Sequence, residues 1–250
     1  MSRIGLGLSI VLFGIPALLL WMVTRFLVPA LVGLQWEPLL AWFVGGGLIF
    51  ALLLAAALFG AVALLRARSW RDLMKVLRVR QLSVHDWLLT AYVFVMVTLA
   101  MAAMHLINTI IGPGLAPHPP FMMVKPLAAA QYYILVLWVP FFFLNIVGEE
   151  LWWRGFIQPR QEPVFGRGTW IVQGLLHGAF HFSFGLGVLF VLWPVVFAIP
   201  WAVQRTANTS VGMALHGGVN GPGFSRSRWA YCRPSNAPLA VFEVQRSVRC

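Results

Sequence analysis

Acidic side chains are scarce in this sequence, which has 7 Asp and Glu residues among 250, against 18 Lys and Arg. Only 10% of the residues are charged and 60% are hydrophobic, whereas soluble domains have about 25% charged and about 45–50% apolar residues. A soluble fold would need several helices that are apolar all round, with little polar surface to cover them. The shortage of charge therefore argues against a soluble globular protein and predicts a polytopic membrane protein.

Cysteine is also nearly absent, with two residues, Cys232 and Cys250, close to the C-terminal end. Two cysteines in a basic tail indicate neither a disulfide framework nor a Cys-based metal site. The sequence has no P-loop, dinucleotide-binding fingerprint or GxSxG nucleophile elbow. The net charge of +11 comes mainly from Lys and Arg between membrane segments and in the tail, so no nucleic-acid partner is predicted.

Long apolar runs dominate the rest of the sequence. A bilayer-spanning helix needs roughly 20 apolar residues, and we predict an all-α transmembrane bundle of about seven helices, within a range of six to eight. Residues 1–126 are predicted to hold N-terminal transmembrane helices, 127–223 a helical region with polar residues, and 224–250 a basic, irregular tail. The predicted helices are Ile4–Thr24, Leu39–Leu65, Trp87–Ile111, Leu127–Val147, Thr169–Phe182, Phe184–Val203 and Ser210–Val219.

Positive charge is concentrated in the connection formed by residues 66–86. Its basic residues are Arg66, Arg68, Arg71, Lys75, Arg78 and Arg80. By the positive-inside rule this loop is cytoplasmic, and so is the N-terminus. The chain then returns to the cytoplasmic side near Glu149. We therefore predict an integral protein of the plasma (inner) membrane whose polar cluster opens near the cytoplasmic face.

Two adjacent carboxylates, Glu149 and Glu150, follow an apolar run that has no acid from Trp87 through Gly148. A carboxylate next to hydrocarbon is costly, so such a group usually has a partner or a function. Arg154 lies four residues after Glu150 and can reach it on one helical face. We predict that Arg154 holds one carboxylate while the other accepts a proton from water as a general base. The alternative is three charges that snorkel to the interface at a helix end.

Two histidines, His177 and His181, are four residues apart and can present two imidazoles on one helical face. This is a metal-ligand spacing, but the HExxH zinc motif is absent because Gly178 stands where its glutamate would be. Each histidine could instead form a hydrogen bond to a backbone carbonyl. Their place in an apolar region that also holds a glutamate pair favours a functional role.

His216 and Asn220 also share a helical face, and three nearby glycines allow close backbone approach. An imidazole N–H and an amide NH2 aimed at one point make an oxyanion hole, which typically contributes about 3–4 kcal/mol per donor to transition-state stabilisation. The alternative is ordinary interhelical hydrogen bonding, which contributes about 0.6 kcal/mol in a bilayer. The motif has little weight unless it is combined with the others.

Taken in chain order, these segments resemble the signature of the CPBP family, which comprises CAAX proteases and bacteriocin-processing proteins and is also called the ABI family. The family pattern is EExxxR, then a histidine with an aromatic residue four positions earlier, then HxxxN. The matching residues are Glu149, Glu150, Arg154, His181, His216 and Asn220, within about Leu127 to Gly223. The order of the three segments makes the resemblance fairly specific.

The resemblance implies a helical intramembrane endopeptidase similar to type II prenyl-protein proteases, with a cytoplasm-facing cavity. It implies that Glu149 and His181 activate a water, and that His216 and Asn220 stabilise the oxyanion. The residues expected to orient the site are Glu150, Arg154 and His177. The implied substrate is a peptide or membrane protein, which is prenylated in the type II enzymes. No cofactor is expected.

Two alternatives remain open at this stage. One is a metal-dependent version of the same protease, with zinc held by Glu149, His181 and His216. The other is a non-catalytic bacteriocin-immunity or membrane scaffold protein. The sequence departs from the family at His177, where Phe or Trp is usual, and after Gly223, where the family usually continues as helix.

Overall fold

The computed structural model describes residues 3–110, 115–116, 118–119, 121 and 131–226 of the chain. All regular structure in these ranges is helical, which confirms the predicted all-α class. Most of the predicted loop between the third and fourth spans lies outside the described residues, and so does the tail from residue 227. The last helix continues to Arg226 and so includes the first three residues of the predicted irregular tail.

Ten α-helices are present in the described ranges, several of them extended by π-helical turns. The first four are α1 (Leu6–Met22), α2 (Val28–Gly33), α3 (Pro38–Phe59) and α4 (Trp70–Val76). The next three are α5 (Val84–Ile110), α6 (Tyr133–Glu150) and α7 (Gln158–Phe165). The last three are α8 (Thr169–Phe180), α9 (Leu186–Thr206) and α10 (Thr209–Arg226). The π-helical segments are Val23–Leu27, Gly60–Leu64 and Leu151–Ile157.

Five helical runs in the described residues are long and apolar enough to cross a bilayer. They are Leu6–Gly33, Pro38–Leu64, Val84–Ile110, Tyr133–Phe184 and Leu186–Thr206. Their outer faces carry large apolar side chains that the protein does not cover, such as Leu18 at 58% and Leu99 at 60% exposure. These faces need lipid contact, so the chain is an integral membrane protein.

The predicted helices correspond to α1, α3, α5, α6, α8, α9 and α10, and most of their ends agree within a few residues. The start of α3 has a clear physical cause. Pro38 stands at the first helical position, where it needs no N–H partner, and the Glu37 carboxylate accepts hydrogen bonds from Leu39 N at 2.7 Å and Leu40 N at 3.1 Å. The largest departure is at the end of α10, which continues to Arg226 rather than ending at Val219. The helix α6 begins at Tyr133 rather than Leu127, and residues 127–130 lie outside the described ranges.

Close helix contacts bring the polar end of α6 into the interior. Gly148 lies against the carbonyl oxygen of Phe50 in α3, where a Cβ atom would overlap it. Gly47 also faces α6, at Phe141. Because α3 and α6 approach so closely, the residue after Gly148 is carried into the protein core rather than to the lipid.

The basic connection, α7 and the turn between α9 and α10 meet at one end of the bundle. Arg78 forms a bidentate ion pair with Glu162, at 2.7 and 2.8 Å. The carbonyl of Arg78 accepts a hydrogen bond from Thr209 N at 2.8 Å. Arg80 donates to the Thr206 carbonyl at 2.6 Å. These contacts fix the starts of α5 and α10 relative to α7, and thereby position the helices that carry the polar cluster.

Candidate active site

The two glutamates at the end of α6 are almost completely buried. Glu149 is 1% exposed and Glu150 is fully buried. The chain leaves α6 through the π-helical turn Leu151–Ile157, all of whose side chains are also buried. A π-helical turn inside a long helix is rare and is often found at functional sites. The carboxylates therefore do not snorkel to an interface, and each requires partners inside the protein.

Glu150 has two cationic or hydrogen-bonding partners. Arg154 Nη1 lies 3.4 Å from Glu150 Oε1, as the spacing in the sequence predicted. His216 Nδ1 lies 3.0 Å from the same oxygen. On the other side of the carboxylate, Glu150 Oε2 lies so close to Gly212 that a Cβ atom there would overlap it. Glu150 thus connects the end of α6 to α10.

Glu149 is bound on both carboxylate oxygens. Asn145, one turn earlier in α6, donates from Nδ2 to Glu149 Oε1 at 2.7 Å. His177 of α8 lies with its Nε2 2.8 Å from Glu149 Oε2. The resemblance led us to expect that Glu149 and His181 act together on a water, and this stays a prediction; the direct hydrogen bond to Glu149 is made by His177. Phe, one of the two residues usual at this position, could not make this contact.

The other ring nitrogen of His177 identifies its tautomer. Arg154 Nη2 lies 3.0 Å from His177 Nδ1. A guanidinium has only donors, so Nδ1 must accept and a neutral His177 carries its proton on Nε2. The Nε2–H group therefore donates to Glu149. Arg154 acts on both glutamates, directly on Glu150 and through His177 on Glu149.

His181 follows α8 at its C-terminal end and faces the same region. Its Nδ1 lies 3.0 Å from the carbonyl oxygen of His177, which can only accept, so Nδ1 carries the proton in the neutral ring. Nε2 of His181 then has a free lone pair. A ring that is oriented through one nitrogen and basic at the other is suited to accept a proton.

His216 and Asn220 are neighbours on α10, as predicted. Asn220 Nδ2 lies 3.0 Å from His216 Nε2 and 3.0 Å from the Oδ1 atom of Asn145. Since the amide donates, His216 Nε2 accepts and its Nδ1–H group points to Glu150. Both donors of the predicted oxyanion hole are therefore engaged within the protein in this arrangement. The oxyanion role stays a prediction.

A cavity of about 400 Å³ opens beside this cluster. Its polar wall consists of Asn145, Glu149, His177, His181, His216 and Asn220. Much of the remaining wall is aromatic and includes Trp42, Phe43, Phe50, Trp138, Phe141 and Phe184. The four residues expected to be catalytic thus line one cavity, and Glu150 and Arg154 lie behind its wall. The cavity can hold an apolar group while it presents polar atoms at one place.

One group of side chains has the composition of a metal site. Glu149, His177 and His181 each offer a ligand atom within 4.8 Å of the others, and carboxylate and imidazole are ordinary zinc ligands. The metal set expected from the sequence had His216 in place of His177. In the observed arrangement Glu149 and His181 are available as ligands, but His177 Nε2 carries a proton because Arg154 occupies Nδ1. His177 would become a third ligand only if it released Arg154.

Asn145 is the residue that the sequence analysis missed. It joins Glu149 to Asn220 through two hydrogen bonds of 2.7 and 3.0 Å. The signal for it was available, because Asn145 lies four residues before Glu149 on the same face of an apolar helix. In contrast, the contact of His177 with Arg154 could not be predicted from local spacing, since 23 residues separate them.

Comparison with known proteins agrees with the location of this cluster. Residues 130–221 match the family model described as type II CAAX prenyl endopeptidase Rce1-like. No curated protein and no solved structure matches the chain. The matched range contains every polar residue of the cavity wall, from Asn145 to Asn220.

Proposed function

We propose, from the membership of residues 130–221 in the Rce1-like family of type II CAAX prenyl endopeptidases, that this chain hydrolyses a peptide bond inside the membrane. The observation that supports this most is the common cavity of Glu149, His181, His216 and Asn220. These residues come from α6, α10 and the turn that follows α8, and each is at least partly buried. A peptidase needs such a sheltered polar site with room for a substrate beside it.

The nucleophile is a water between Glu149 and His181. Their ligand atoms lie within 4.8 Å of each other, a separation that one water can bridge with two hydrogen bonds of ordinary length. A water that donates to two acceptors directs its lone pairs away from them, towards a substrate carbonyl. Glu149 removes one proton as the water attacks, and the amine that leaves takes a proton back from the same pair.

His177 and Asn145 hold Glu149 in place during this reaction. Each donates a hydrogen bond to one of its carboxylate oxygens. A base whose orientation is fixed by two donors needs little reorganisation when it accepts a proton. Glu150 and Arg154 lie behind the cavity wall and orient the site. Arg154 pairs with Glu150 and keeps the N–H group of His177 directed at Glu149.

Asn220 donates to the oxyanion that forms on the substrate, and His216, whose Nε2 accepts from Asn220, orients that amide. In the free protein the Asn220 amide donates to Asn145 and His216. When a carbonyl enters the cavity, Asn220 exchanges the hydrogen bond to Asn145 for one to the substrate oxygen. The developing negative charge makes that bond stronger than the one it replaces.

The aromatic wall indicates the chemistry of the substrate. The cavity of about 400 Å³ has several aromatic rings beside the polar cluster, and such a wall suits an apolar group attached near the bond to be cleaved. A prenylated peptide or a membrane-protein tail has this character. We also propose that the N-terminus is cytoplasmic and that the site accepts substrates from the cytoplasmic side of the plasma (inner) membrane, as the basic loop 66–86 indicates.

The test is a cleavage assay with a fluorogenic peptide in two forms, farnesylated and unmodified, on protein purified in detergent. We expect wild-type protein to cleave the farnesylated form, and Glu149→Gln to abolish cleavage without loss of folding or membrane insertion. Asp72→Asn is the matched control, because Asp72 lies in the first turn of α4, does not line the cavity and should not affect cleavage. Normal turnover by Glu149→Gln would remove the proposed base.

A metal-dependent mechanism is the second candidate, because Glu149, His177 and His181 form a group of possible ligands. When bound, a metal such as zinc would polarise the carbonyl or lower the pKa of a bound water. Metal analysis of the purified protein separates the two candidates. One equivalent of zinc together with chelator-sensitive cleavage would favour the metal, and full activity after chelation would favour the glutamate mechanism.

A further inference from the structure

A second cavity, which we call the lateral groove, lies between α5, α8 and α9. It has a volume of about 420 Å³ and shares no wall residue with the first cavity among the described residues. Representative wall residues are Tyr92, Met96, Trp170, Phe197, Ala198 and Trp201. Tyr92 and Met96 are 61% and 49% exposed, so the groove is open towards the outside of the bundle. At membrane depth that outside is lipid.

One end of the lateral groove is cationic. The guanidinium of Arg205 lies 5.6 Å from the ring centre of Trp201, which is part of the groove wall. Arg80 donates to the carbonyl of Thr206, the residue after Arg205. Both arginines are exposed, and neither belongs to a salt bridge among the described residues. Two exposed arginines therefore lie at this end of α9, and no carboxylate of the described residues is within ion-pair distance of either.

The apolar and cationic parts lie in line along α9. From Pro194 to Trp201 the groove follows α9 for about 10 Å, given the helical rise of 1.5 Å per residue. Arg205 comes one turn later, at the same end of the bundle as the basic connection. The hydrogen bond from Trp170 N to Gln204 Oε1, at 3.0 Å, holds α8 and α9 together at this end. An apolar channel that ends at exposed cations has the polarity and dimensions of part of a phospholipid.

We propose that the lateral groove binds an acyl chain of an anionic phospholipid, whose phosphate is held by Arg205 and Arg80. The apolar wall selects a molecule with a hydrocarbon chain, and the guanidinium pair selects a negative headgroup through charge-assisted hydrogen bonds. A zwitterionic lipid has the same hydrocarbon chain, but its headgroup is attracted less strongly to the two guanidinium groups. The site is independent of the proposed peptidase reaction, because the two cavities share no wall residue.

Native mass spectrometry with an equimolar mixture of phosphatidylglycerol and phosphatidylcholine of identical chains tests this site. We expect wild-type protein to retain phosphatidylglycerol preferentially, and Arg205→Gln to reduce that retention about fivefold, the effect of one basic residue near an anionic headgroup. Arg71→Gln is the charge-matched control, since Arg71 is an exposed residue of α4 that does not line the groove. Glu149→Gln should leave lipid retention unchanged.

A second variant tests the apolar part of the site. Ala198→Trp fills the groove without altering the arginines, and we expect it to reduce retention of both lipids. Circular dichroism and size-exclusion chromatography verify that each variant folds. Equal retention of the two lipids by wild-type protein would overturn the proposal, as would an equal loss in Arg71→Gln and Arg205→Gln. Unchanged retention in Ala198→Trp would also overturn it, because the headgroup alone would then account for binding.

Discussion

Arg154 donates a hydrogen bond from Nη2 to Nδ1 of His177 across 3.0 Å, and neither residue is more than 3% exposed. Because guanidinium cannot accept, this contact places the proton of a neutral His177 on Nε2, where it points to Glu149. A metal ion would need the lone pair of that same nitrogen. The hydrogen bond from Arg154 therefore keeps a proton on the nitrogen of His177 that would otherwise be free to bind zinc.

The double variant Arg154→Gln/Glu150→Gln tests this relationship while it keeps the buried charge balanced. Without the guanidinium, His177 is free to move its proton to Nδ1, so we expect zinc affinity to increase by at least about tenfold over wild type, as for one gained ligand interaction. Isothermal titration with zinc measures the change. Glu150→Gln alone retains Arg154 and should bind zinc as weakly as wild type. Equally tight zinc binding by all three proteins would contradict the assignment of the tautomer.

Two substitutions at His177 separate its role as a donor from a role as a metal ligand. In His177→Gln, the amide oxygen can accept from Arg154 and the amide N–H can donate to Glu149, so we expect most of the activity to remain. In His177→Phe both contacts are lost, and a hydrogen bond to a charged group contributes about 1.5–3 kcal/mol, so activity should fall about 10–100-fold. The farnesylated-peptide assay measures both. If His177→Gln loses as much activity as His177→Phe, the two hydrogen bonds do not account for the role of His177.

Asn145 is expected to matter because it connects Glu149 to Asn220. Asn145→Leu is similar in size but removes both hydrogen bonds, and we expect kcat to fall about 10–100-fold, since one of them is to a carboxylate. KM should change little, because the side chain supports the reacting groups rather than the apolar wall. Asn108→Leu is the control. Among the described residues the Asn108 side chain forms a hydrogen bond only to the Leu115 carbonyl, and it does not line the cavity. A loss confined to KM would assign Asn145 to substrate binding.

The sequence allowed the helices and the polar residues of the site to be predicted, for physical reasons that act locally. Apolar runs of bilayer length identify spans, and the run that begins at Leu39 placed the start of α3 within one residue. Carboxylates and imidazoles in such runs are costly enough that a function is the natural explanation. The ion pair between Glu150 and Arg154 also follows from local spacing, and the structure has it at 3.4 Å.

The pairing between helices could not be obtained in the same way. The direct contact of Glu149 with His177 depends on how α6 and α8 are rotated against each other. That rotation is fixed by packing, as where Gly148 meets the Phe50 carbonyl, and no periodicity in the sequence encodes it. For the same reason the sequence predicted that Asn220 and His216 are neighbours but not that they donate and accept within the protein.

Gly212 offers a test of how tightly Glu150 is enclosed. A Cβ atom at Gly212 would overlap Glu150 Oε2, a buried oxygen with no hydrogen-bond partner among the described residues. We expect Gly212→Ala to reduce the free energy of unfolding by about 1–3 kcal/mol, as overpacking does, and to lower the thermal unfolding midpoint in detergent. Gly217→Ala on the same helix is the control, because its Cβ would meet Phe142 at an ordinary 3.8 Å.

A second variant, Glu150→Asp, completes this test. It shortens the side chain by one methylene and moves the carboxylate away from Gly212. If the overlap is the cause, the double variant Gly212→Ala/Glu150→Asp should be more stable than the sum of the two single effects, a positive coupling of about 0.5–3 kcal/mol. Additive effects would mean that the alanine disturbs α10 by another route. The coupling also bears on function, because Glu150 is bound to both His216 and Arg154, and a displacement of its carboxylate changes both contacts.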